Sequence, residues 1–481
     1  MKLHWPPALV VVIVWKRLVT STHYTILGLA GLLAMTEKQE TRPDPDFLFF
    51  PVAPVAQIHS LVLQLQQSQW WSAERLLAYQ MEHVRILAQY AAATTPFYAD
   101  RLDSIIDLKS GELTLDAFRQ IPVLRREDVQ VAGERLFSSK PPEEHGQLQD
   151  VRTSGSTGRP VHVKTTALAG RINSAVSLRY HFWHRRDLTA KNLTIKNMPA
   201  NAKPKTGVNW ALGYTSRDSM VYNVATPHKK LFDLLIREDP DYLCCFPSTL
   251  WELIHRSKEL GIKPGRLREV RTVCEVLSDE LRGLCREQWN LPVSDNYSSE
   301  EFGIMSVQCP DHPWGHVQAD KVLVEVLDDE DRPCEAGTLG RVVVSSLHNF
   351  ATPLIRYELG DYGELGPACP CGRGLPVLRR IVGRKRNLVV LPTGEKIFPL
   401  FDSEPVIFSM PVRQYQITQK SVDLMEMRLV ANRPLETEEE LRLSEYYGRN
   451  FGYPFQFKFV YVDEISRSAG GKFEDFVSEV E

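Results

Sequence analysis

Between residues 191 and 300 the sequence alternates short β-type runs with stretches of helical periodicity. The β-type runs are Leu193 to Lys196, Tyr242 to Phe246 and Val270 to Val276, and the helical stretches are Ser248 to Leu260 and Ser278 to Trp289. This alternation is typical of βαβ units, in which parallel strands form one sheet and helices cover its faces. We therefore predict an α/β fold for this part of the chain.

Different patterns flank the βαβ region. Residues 316–365 contain β-type runs joined by acidic, glycine-containing turns, which predicts antiparallel hairpins or a small barrel. Before the βαβ region, residues 71–93 predict an amphipathic helix that ends at Pro96. The β-type runs are Val322 to Leu327 and Arg341 to Ser346, and the apolar face of the helix is Leu77, Met81, Val84, Ala88 and Ala91.

One short run is rich in small hydroxyl residues and glycine. Its members are Thr153, Ser154, Gly155, Ser156, Thr157 and Gly158. Glycine lets backbone N–H groups turn inward and the hydroxyls add further donors, so the run can wrap the phosphates of ATP. It is not a P-loop, because Arg159 and Pro160 lead into a β-type run where a P-loop would open a helix with Gly-Lys-Ser/Thr.

Five further motifs follow this phosphate loop along the chain. They are Val273 to Glu275, Asp295 to Gly303, Pro353 to Asp361, Gly383 to Asn387 and Ser466 to Phe473. In this order the motifs resemble those of the adenylate-forming (acyl-CoA synthetase) superfamily, and specifically its phenylacetate-CoA ligase-like branch. The resemblance runs from about residue 60 to the C-terminus.

The resemblance implies a two-domain α/β architecture. A large N-terminal adenylate-forming domain, residues 35–383, would combine βαβ sheets with a small β-barrel-like element. A hinge at residues 384–387 would join it to a small, mobile α+β domain, residues 388–481. Rotation about the hinge would separate two half-reactions.

The resemblance also implies a nucleotide site. Tyr297 would stack on adenine, and Val273 to Glu275 would form part of the adenine bed. Asp361 would accept hydrogen bonds from both ribose hydroxyls, as an ionised carboxylate can. Arg384 would contact the nucleotide as well.

Two further residues would act on the phosphates. The family spacing of Tyr, three residues and Glu selects Glu301 as the Mg²⁺ ligand, and a shift of one residue would select Glu300. Lys472 matches the catalytic lysine, whose mobile ammonium reaches the substrate carboxylate and the α-phosphate.

A second set of residues predicts a structural Zn²⁺ site. Its members are Cys309, His316, Cys369 and Cys371. A Cys-x-Cys pair is too tight for an ordinary disulfide but suits two thiolates on one ion, and an imidazole completes a Cys₃His set. The resemblance implies such a site in some relatives, and it favours His316 over the nearby His312.

Composition sets broad limits. The chain has 57 basic and 60 acidic residues, a net charge of −3, so no global charge favours nucleic acid or an anionic membrane. Eight cysteines in 481 residues do not suggest a disulfide scaffold and fit a reducing cytoplasm. The apolar runs within residues 1–34 are shorter than the about 20 residues of a spanning helix. We interpret residues 1–34 as an extension upstream of the native start, with a signal peptide as the alternative.

The implied reaction begins when a carboxylic acid attacks the α-phosphorus of ATP, which gives acyl-AMP and pyrophosphate. A thiol, which the resemblance implies to be coenzyme A, would then take the acyl group. An amine or hydroxyl acceptor, a nucleotide-binding protein without activity and a zinc-dependent interaction module are the alternatives. The acid is not identified by the sequence. Tyr180, Phe182, Trp183 and Tyr214 would suit an aryl pocket, or the core.

Overall fold

The structure is a computed structural model, and it describes most of the chain. The described residues are 53–99, 101–102, 113–153, 160–199, 201–384, 388–397, 407, 409–468 and 471–480. Three predicted features therefore lie outside the described residues. They are the extension at residues 1–34, the phosphate-loop residues Ser154 to Gly158, and hinge residues 385–387.

Helices and strands alternate through most of the described residues. In chain order the helices are α1 (Ala53–Ser68), α2 (Ala73–Thr94), α3 (Leu115–Gln120), α4 (Arg126–Ala132), α5 (Ala167–Trp183), α6 (His228–Glu238), α7 (Pro247–Leu260), α8 (Asp279–Trp289) and α9 (Thr437–Phe451). The first ten strands are β1 (Leu148–Arg152), β2 (His162–Thr166), β3 (Asn192–Lys196), β4 (Lys205–Thr206), β5 (Met220–Asn223), β6 (Tyr242–Cys245), β7 (Glu269–Thr272), β8 (Val293–Ser299), β9 (Gly303–Gln308) and β10 (Gly315–Val317). The remaining strands are β11 (Val322–Leu327), β12 (Leu339–Ser346), β13 (Tyr357–Gly366), β14 (Val377–Arg384), β15 (Val389–Val390), β16 (Lys396–Ile397), β17 (Val412–Gln419), β18 (Leu424–Ala431), β19 (Gln456–Tyr461) and β20 (Phe476–Ser478).

Within the described residues, twelve strands form one continuous sheet in the order β11-β12-β13-β14-β10-β9-β8-β7-β6-β3-β5-β4. Strands β5, β3, β6, β7 and β8 run parallel to their neighbours in this series. From β8 to β11 every pairing is antiparallel. The predicted βαβ units and antiparallel hairpins are both confirmed. The hairpins extend the parallel sheet, and β8 belongs to both halves.

The predicted helix near the N-terminus is α2. Its first turn is capped by the Ser72 side chain, which accepts a hydrogen bond from the backbone N–H of Arg75. Most of the predicted apolar face is buried. Leu77 is the exception, because it is 36% exposed and Leu76 is buried in its place.

Strand β7 is shorter than predicted, since it ends at Thr272 and not at Val276. The backbone of Cys274 has φ +73°, in the left-handed region that non-glycine residues rarely adopt. An extended strand cannot pass through this conformation, so the chain turns there.

The C-terminal part has its own sheet, in the order β19-β18-β17-β20, with α9 as its helix. This arrangement confirms the predicted α+β segment. Its apolar core is continuous with that of the parallel half, because Trp251 of α7 belongs to the same buried cluster as Tyr415 and Phe476. The indole N–H of Trp251 also donates to the carbonyl of Arg413 at 3.0 Å.

Residues far apart in the chain satisfy each other's buried polar groups. The Gln80 amide on α2 donates to the carbonyls of Ala319 and Val322 at 3.1 and 2.9 Å. The fully buried guanidinium of Arg356 donates to the carbonyl of Ile121 at 2.6 Å. These bonds hold the N-terminal helices against the antiparallel half of the sheet. Among the described residues, no helix is long and apolar enough to cross a membrane.

Candidate active site

Three residues that were predicted to bind the nucleotide lie close together near the carboxyl end of β8. The Tyr297 hydroxyl donates to Asp361 Oδ2 at 2.7 Å, and Arg384 Nε lies 3.3 Å from Asp361 Oδ1. Tyr297 comes near the end of β8, and Asp361 and Arg384 are cross-strand partners on β13 and β14. Residues from three separate motifs thus converge on one carboxylate. Burial raises the pKa of Tyr297 well above its usual value, and the Asp361 carboxylate raises it further.

The two candidate magnesium ligands differ in exposure. Glu300 is exposed, whereas Glu301 is half-buried. Burial raises the pKa of Glu301, while a hydrogen bond from Ser299 and the charges of Arg126 and Arg384 lower it. Glu301 is therefore a desolvated carboxylate that faces the nucleotide residues, and a divalent cation would compensate its charge.

The phosphate loop connects the strands of a hairpin. Strands β1 and β2 pair antiparallel up to Arg152 and His162, and Thr153 closes the hairpin by bonding twice to Val161. The run thus leads into a strand, as predicted. Arg126 Nη2 donates to Thr153 Oγ1 at 3.2 Å.

Arg126 is a candidate site residue that the sequence did not reveal. It begins α4, and its charge acts on Glu301 while its guanidinium holds the first residue of the phosphate loop. Its position suits a cation that faces phosphates bound between Glu301 and the phosphate loop. No spacing rule connects an arginine at a helix start to a loop 27 residues later.

Lys472 is half-buried and lies close to Cys274. Desolvation raises the pKa of the Cys274 thiol to about 11, the Lys472 ammonium opposes this shift, and Glu300 reinforces it. The predicted catalytic lysine is thus near both the segment after β7 and the turn that carries Glu301. The structure brings Lys472 to the same edge of the sheet as Tyr297.

Glu275 makes contacts that the sequence did not suggest. Its Oε2 accepts from the backbone N–H of Ser248 at 3.0 Å. Its Oε1 accepts from the backbone N–H of Phe473 at 2.6 Å and from Arg467 Nη1 at 3.2 Å. Burial raises the pKa of Glu275, and Arg467 lowers it. The side chain is thus bound to the loop that carries Lys472, and a place in the adenine bed stays a prediction.

The predicted zinc residues form one cluster. The ligand atoms of Cys309, His316, Cys369 and Cys371 all lie within 4.8 Å of one another. The sulfurs of Cys309 and Cys369 are 3.9 Å apart, and Cys371 Sγ lies 3.3 Å from His316 Nε2. His312 lies outside this group and stacks on Trp314.

The imidazole of His316 is oriented for coordination. Its Nδ1 lies 3.2 Å from the carbonyl of Leu375, which favours a proton on Nδ1 and leaves the Nε2 lone pair directed at Cys371. Burial lowers the pKa of His316 to about 4. A neutral imidazole with three thiols is a donor set that suits tetrahedral zinc.

Two of the four predicted aryl residues, Phe182 and Trp183, lie away from Tyr297. Phe182 and Trp183 border a cleft of about 1080 Å³ whose other walls include Glu269 and Val293, at the starts of β7 and β8. This cleft therefore lies at the opposite ends of the parallel strands from Tyr297. Tyr180 is buried in the core.

Comparisons with known proteins agree with this arrangement. Residues 394–479 match the family described as the CapK C-terminal domain. A phenylacetate-coenzyme A ligase of Thermus thermophilus is 25% identical over 387 residues, 75% of this chain and 82% of that protein. Protein CapK of Staphylococcus aureus is 21% identical over 399 residues, 80% of this chain and 85% of that protein.

A solved structure has the same fold. The 2-hydroxyisobutyryl-CoA ligase in its postadenylation state superposes with a TM-score of 0.70 at 18% identity, over 86% of this chain and 91% of that chain. The same ligase in its thioesterification state gives a TM-score of 0.56. The described arrangement of this chain therefore superposes better on the first of these two conformations.

Proposed function

We propose that the chain is a member of the adenylate-forming superfamily, in its phenylacetate-CoA ligase-like branch, and that it is an AMP-forming acid-CoA ligase. In the first half-reaction the substrate carboxylate attacks the α-phosphorus of ATP, forming acyl-AMP and releasing pyrophosphate. In the second, the thiol of coenzyme A attacks the acyl carbon, and AMP leaves. No enzyme nucleophile is required, so the protein contributes positioning and charge stabilisation.

One observation carries this proposal. Tyr297, Asp361 and Arg384 come from three separate motifs, and Tyr297 and Arg384 both contact Asp361 near the carboxyl end of β8. In this arrangement Asp361 would bind the ribose, the Tyr297 ring the adenine, and Arg384 the nucleotide beside them. The phosphates would then extend toward the 153–158 loop and Arg126, which already holds Thr153.

Glu301 and Lys472 would act on the phosphate end of the nucleotide. Glu301 fits a Mg²⁺ ligand because it is a half-buried carboxylate beside the nucleotide residues. When bound, Mg²⁺ would neutralise phosphate charge. The Lys472 ammonium would stabilise the negative charge that develops around the α-phosphate during adenylation. Each of these assignments is part of the proposal.

Domain rotation would separate the half-reactions. The proposed domains are residues 35–383 and 388–481, with a hinge at residues 384–387. Support comes from Arg384, which ends β14, and from Gly383, whose φ of +116° glycine adopts freely. Turning about this point would move Lys472 away and admit the acceptor.

The acceptor could instead be an amine or a hydroxyl. The C-terminal domain would face the acceptor after rotation, and residues 394–479 match the CapK C-terminal domain, whose description names no acceptor. The adenylation residues would be unchanged in either case. A test of thioester formation from synthetic acyl-AMP and coenzyme A separates the two functions.

We also propose a structural zinc ion bound by Cys309, His316, Cys369 and Cys371. Its support is the 4.8 Å cluster and the orientation of His316. With four protein ligands the ion would have no open position for catalysis, and it would hold β10 and the β13–β14 turn together. A cytoplasmic location is proposed as well, because none of the eight cysteines, all within the described residues, forms a disulfide.

The proposal is tested by acid-dependent pyrophosphate release from ATP. A panel of aryl, hydroxy and short aliphatic acids is supplied with MgATP, and pyrophosphate and AMP are measured. We expect at least one acid to give both products in equal amounts when coenzyme A is present. Hydrolysis to ADP, or no product from any acid with stably folded protein, would contradict the proposal.

A further inference from the structure

The backbone on both sides of Lys472 is held by one ion pair. Arg467 Nη1 donates to the carbonyl of Gly471 at 3.2 Å, immediately before Lys472. Glu275 Oε1 accepts from the N–H of Phe473 at 2.6 Å, immediately after it. Glu275 and Arg467 also contact each other at 3.2 Å. The two peptide groups that flank the lysine are therefore fixed by two residues that belong to different domains.

This pair is anchored firmly to the large domain. The Glu275 carboxylate accepts from the N–H of Ser248, and Arg467 donates to Ser248 Oγ at 2.9 Å and lies 3.4 Å from Thr249 Oγ1. Ser248 and Thr249 lie in the first turn of α7. Only 14% of the Arg467 side chain and 8% of the Glu275 side chain are exposed. The contact is thus a nearly buried ion pair with hydrogen bonds on both sides.

Backbone packing at Gly471 supports the same placement. Gly471 has φ +76°, and a side chain there would come within 2.9 Å of Asn197, just after β3. Ser468 closes the loop on itself by donating its N–H to the carbonyl of Lys472 at 2.8 Å. The Ser468 bond therefore stabilises the loop internally, Gly471 allows its close approach to Asn197, and the Glu275–Arg467 ion pair holds it against α7.

We propose that Glu275 and Arg467 are positioning residues that deliver Lys472 in the adenylation half-reaction alone. This inference rests on the proposed function, and it assigns Glu275 to the lysine loop rather than to adenine. If the domain rotated, the Glu275 carboxylate would keep the N–H of Ser248 as a donor. The carboxylate and the Arg467 guanidinium would then need water as hydrogen-bond partners in place of each other. Removing one partner leaves the other buried and unpaired, which destabilises only the docked arrangement.

The experiment compares Glu275→Gln, Arg467→Gln and the double variant with the wild type. We expect acid-dependent ATP–pyrophosphate exchange to fall by about tenfold or more in each. Thioester formation from synthetic acyl-AMP and coenzyme A should stay within about twofold of wild type, because it follows undocking. Since the residues act as one unit, the double variant should be little worse than either single variant. Lys420→Gln, which removes an exposed ion pair within the C-terminal part, is the control.

Amide hydrogen exchange provides a readout that needs no substrate. A peptide spanning residues 466–476 should exchange faster in Glu275→Gln than in wild type or in Lys420→Gln. The peptide should be better protected in Arg467→Lys than in Arg467→Gln, because lysine keeps the positive charge. Unchanged exchange, or equal losses in both half-reactions, would overturn the inference. If wild-type protein activates no acid while the exchange result holds, the proposed function fails and the docking role stands.

Discussion

The hydroxyl of Tyr297 donates a 2.7 Å hydrogen bond to Asp361, the residue expected to bind the ribose. This carboxylate thus has a hydroxyl donor on one oxygen and the Arg384 guanidinium near the other. A ribose hydroxyl that binds there would replace one hydroxyl donor by another, so the exchange would involve like groups.

Replacing Asp361 by Ala should weaken the use of ATP. Hydrogen bonds to a charged group contribute about 1.5–3 kcal/mol each, so we expect the KM for ATP to rise by tenfold or more. Acid-dependent pyrophosphate release at varied ATP concentration measures it, and circular dichroism checks the fold. Glu330→Ala, at an exposed turn of the same sheet, is the control. An unchanged KM in folded protein would disprove the ribose assignment.

Replacing Lys472 by Ala should separate the two half-reactions. Loss of one preorganised charge at the α-phosphate should reduce ATP–pyrophosphate exchange by about 10²–10³-fold. Thioester formation from synthetic acyl-AMP should be nearly unchanged, because the proposed domain rotation would already have turned Lys472 away. The exposed Lys458 serves as the matched control when changed to Ala. Normal exchange in the Lys472 variant would make this lysine a bystander.

The cysteine cluster should carry about one zinc per chain, since four protein ligands close a tetrahedral site. Metal analysis of protein purified without a nickel column measures it. Zinc should be lost from Cys369→Ser combined with Cys371→Ser. It should remain in Cys334→Ser, because Cys334 lies outside the cluster. Zinc-free wild-type protein, or equal zinc in both variants, would remove the assignment.

Glu252 should make stability depend on pH. Burial raises its pKa to about 7 from an ordinary 4.5, while Gln414, Arg413 and Arg467 lower it. Between these values the folded protein keeps a proton that the unfolded chain releases, so stability falls as pH rises from 4.5 to 7. Above pH 7 the folded protein bears a buried carboxylate at a cost of up to about 3 kcal/mol.

Glu252→Gln should therefore be more stable than wild type at pH 8, and this advantage should shrink or reverse at pH 5. Denaturant unfolding at the two pH values measures the difference. Glu287→Gln, at an exposed position of α8, should change stability equally at both. If Glu252→Gln changed the free energy of unfolding by the same amount at both pH values, burial would not control the titration of Glu252.

Local patterns predicted the elements well where one segment determines its own structure. Strand β11 has the limits of its apolar run, and α8 begins after Ser278, whose hydroxyl caps it. The choice between Leu76 and Leu77 could not be predicted, because both are leucines and only packing distinguishes them. The left-handed backbone of Cys274 could not be predicted, because glycine and not cysteine is the residue that indicates such a φ.

Contacts between distant segments explain the remaining differences at the site. Arg467 and Glu275 are 192 residues apart, and either alone looks like a solvated charge. Arg126 meets Glu301 only after α4 packs on the sheet. By contrast, the resemblance implied one site for Tyr297 and Asp361, which contact each other, and the four residues of the cysteine cluster lie together. The roles of these residues stay predictions.

The bonds from Gln80 to Ala319 and Val322, and from Arg356 to Ile121, span more than 230 residues of chain. During synthesis the two partners of each of these bonds leave the ribosome far apart in time. Until residues 319–356 have been synthesised, the apolar face of α2 therefore lacks its packing partners, and the Gln80 amide lacks its carbonyl partners. Fragments that stop before residue 356 would lack part of the apolar cluster that covers this face, so α2 would stay partly exposed in them.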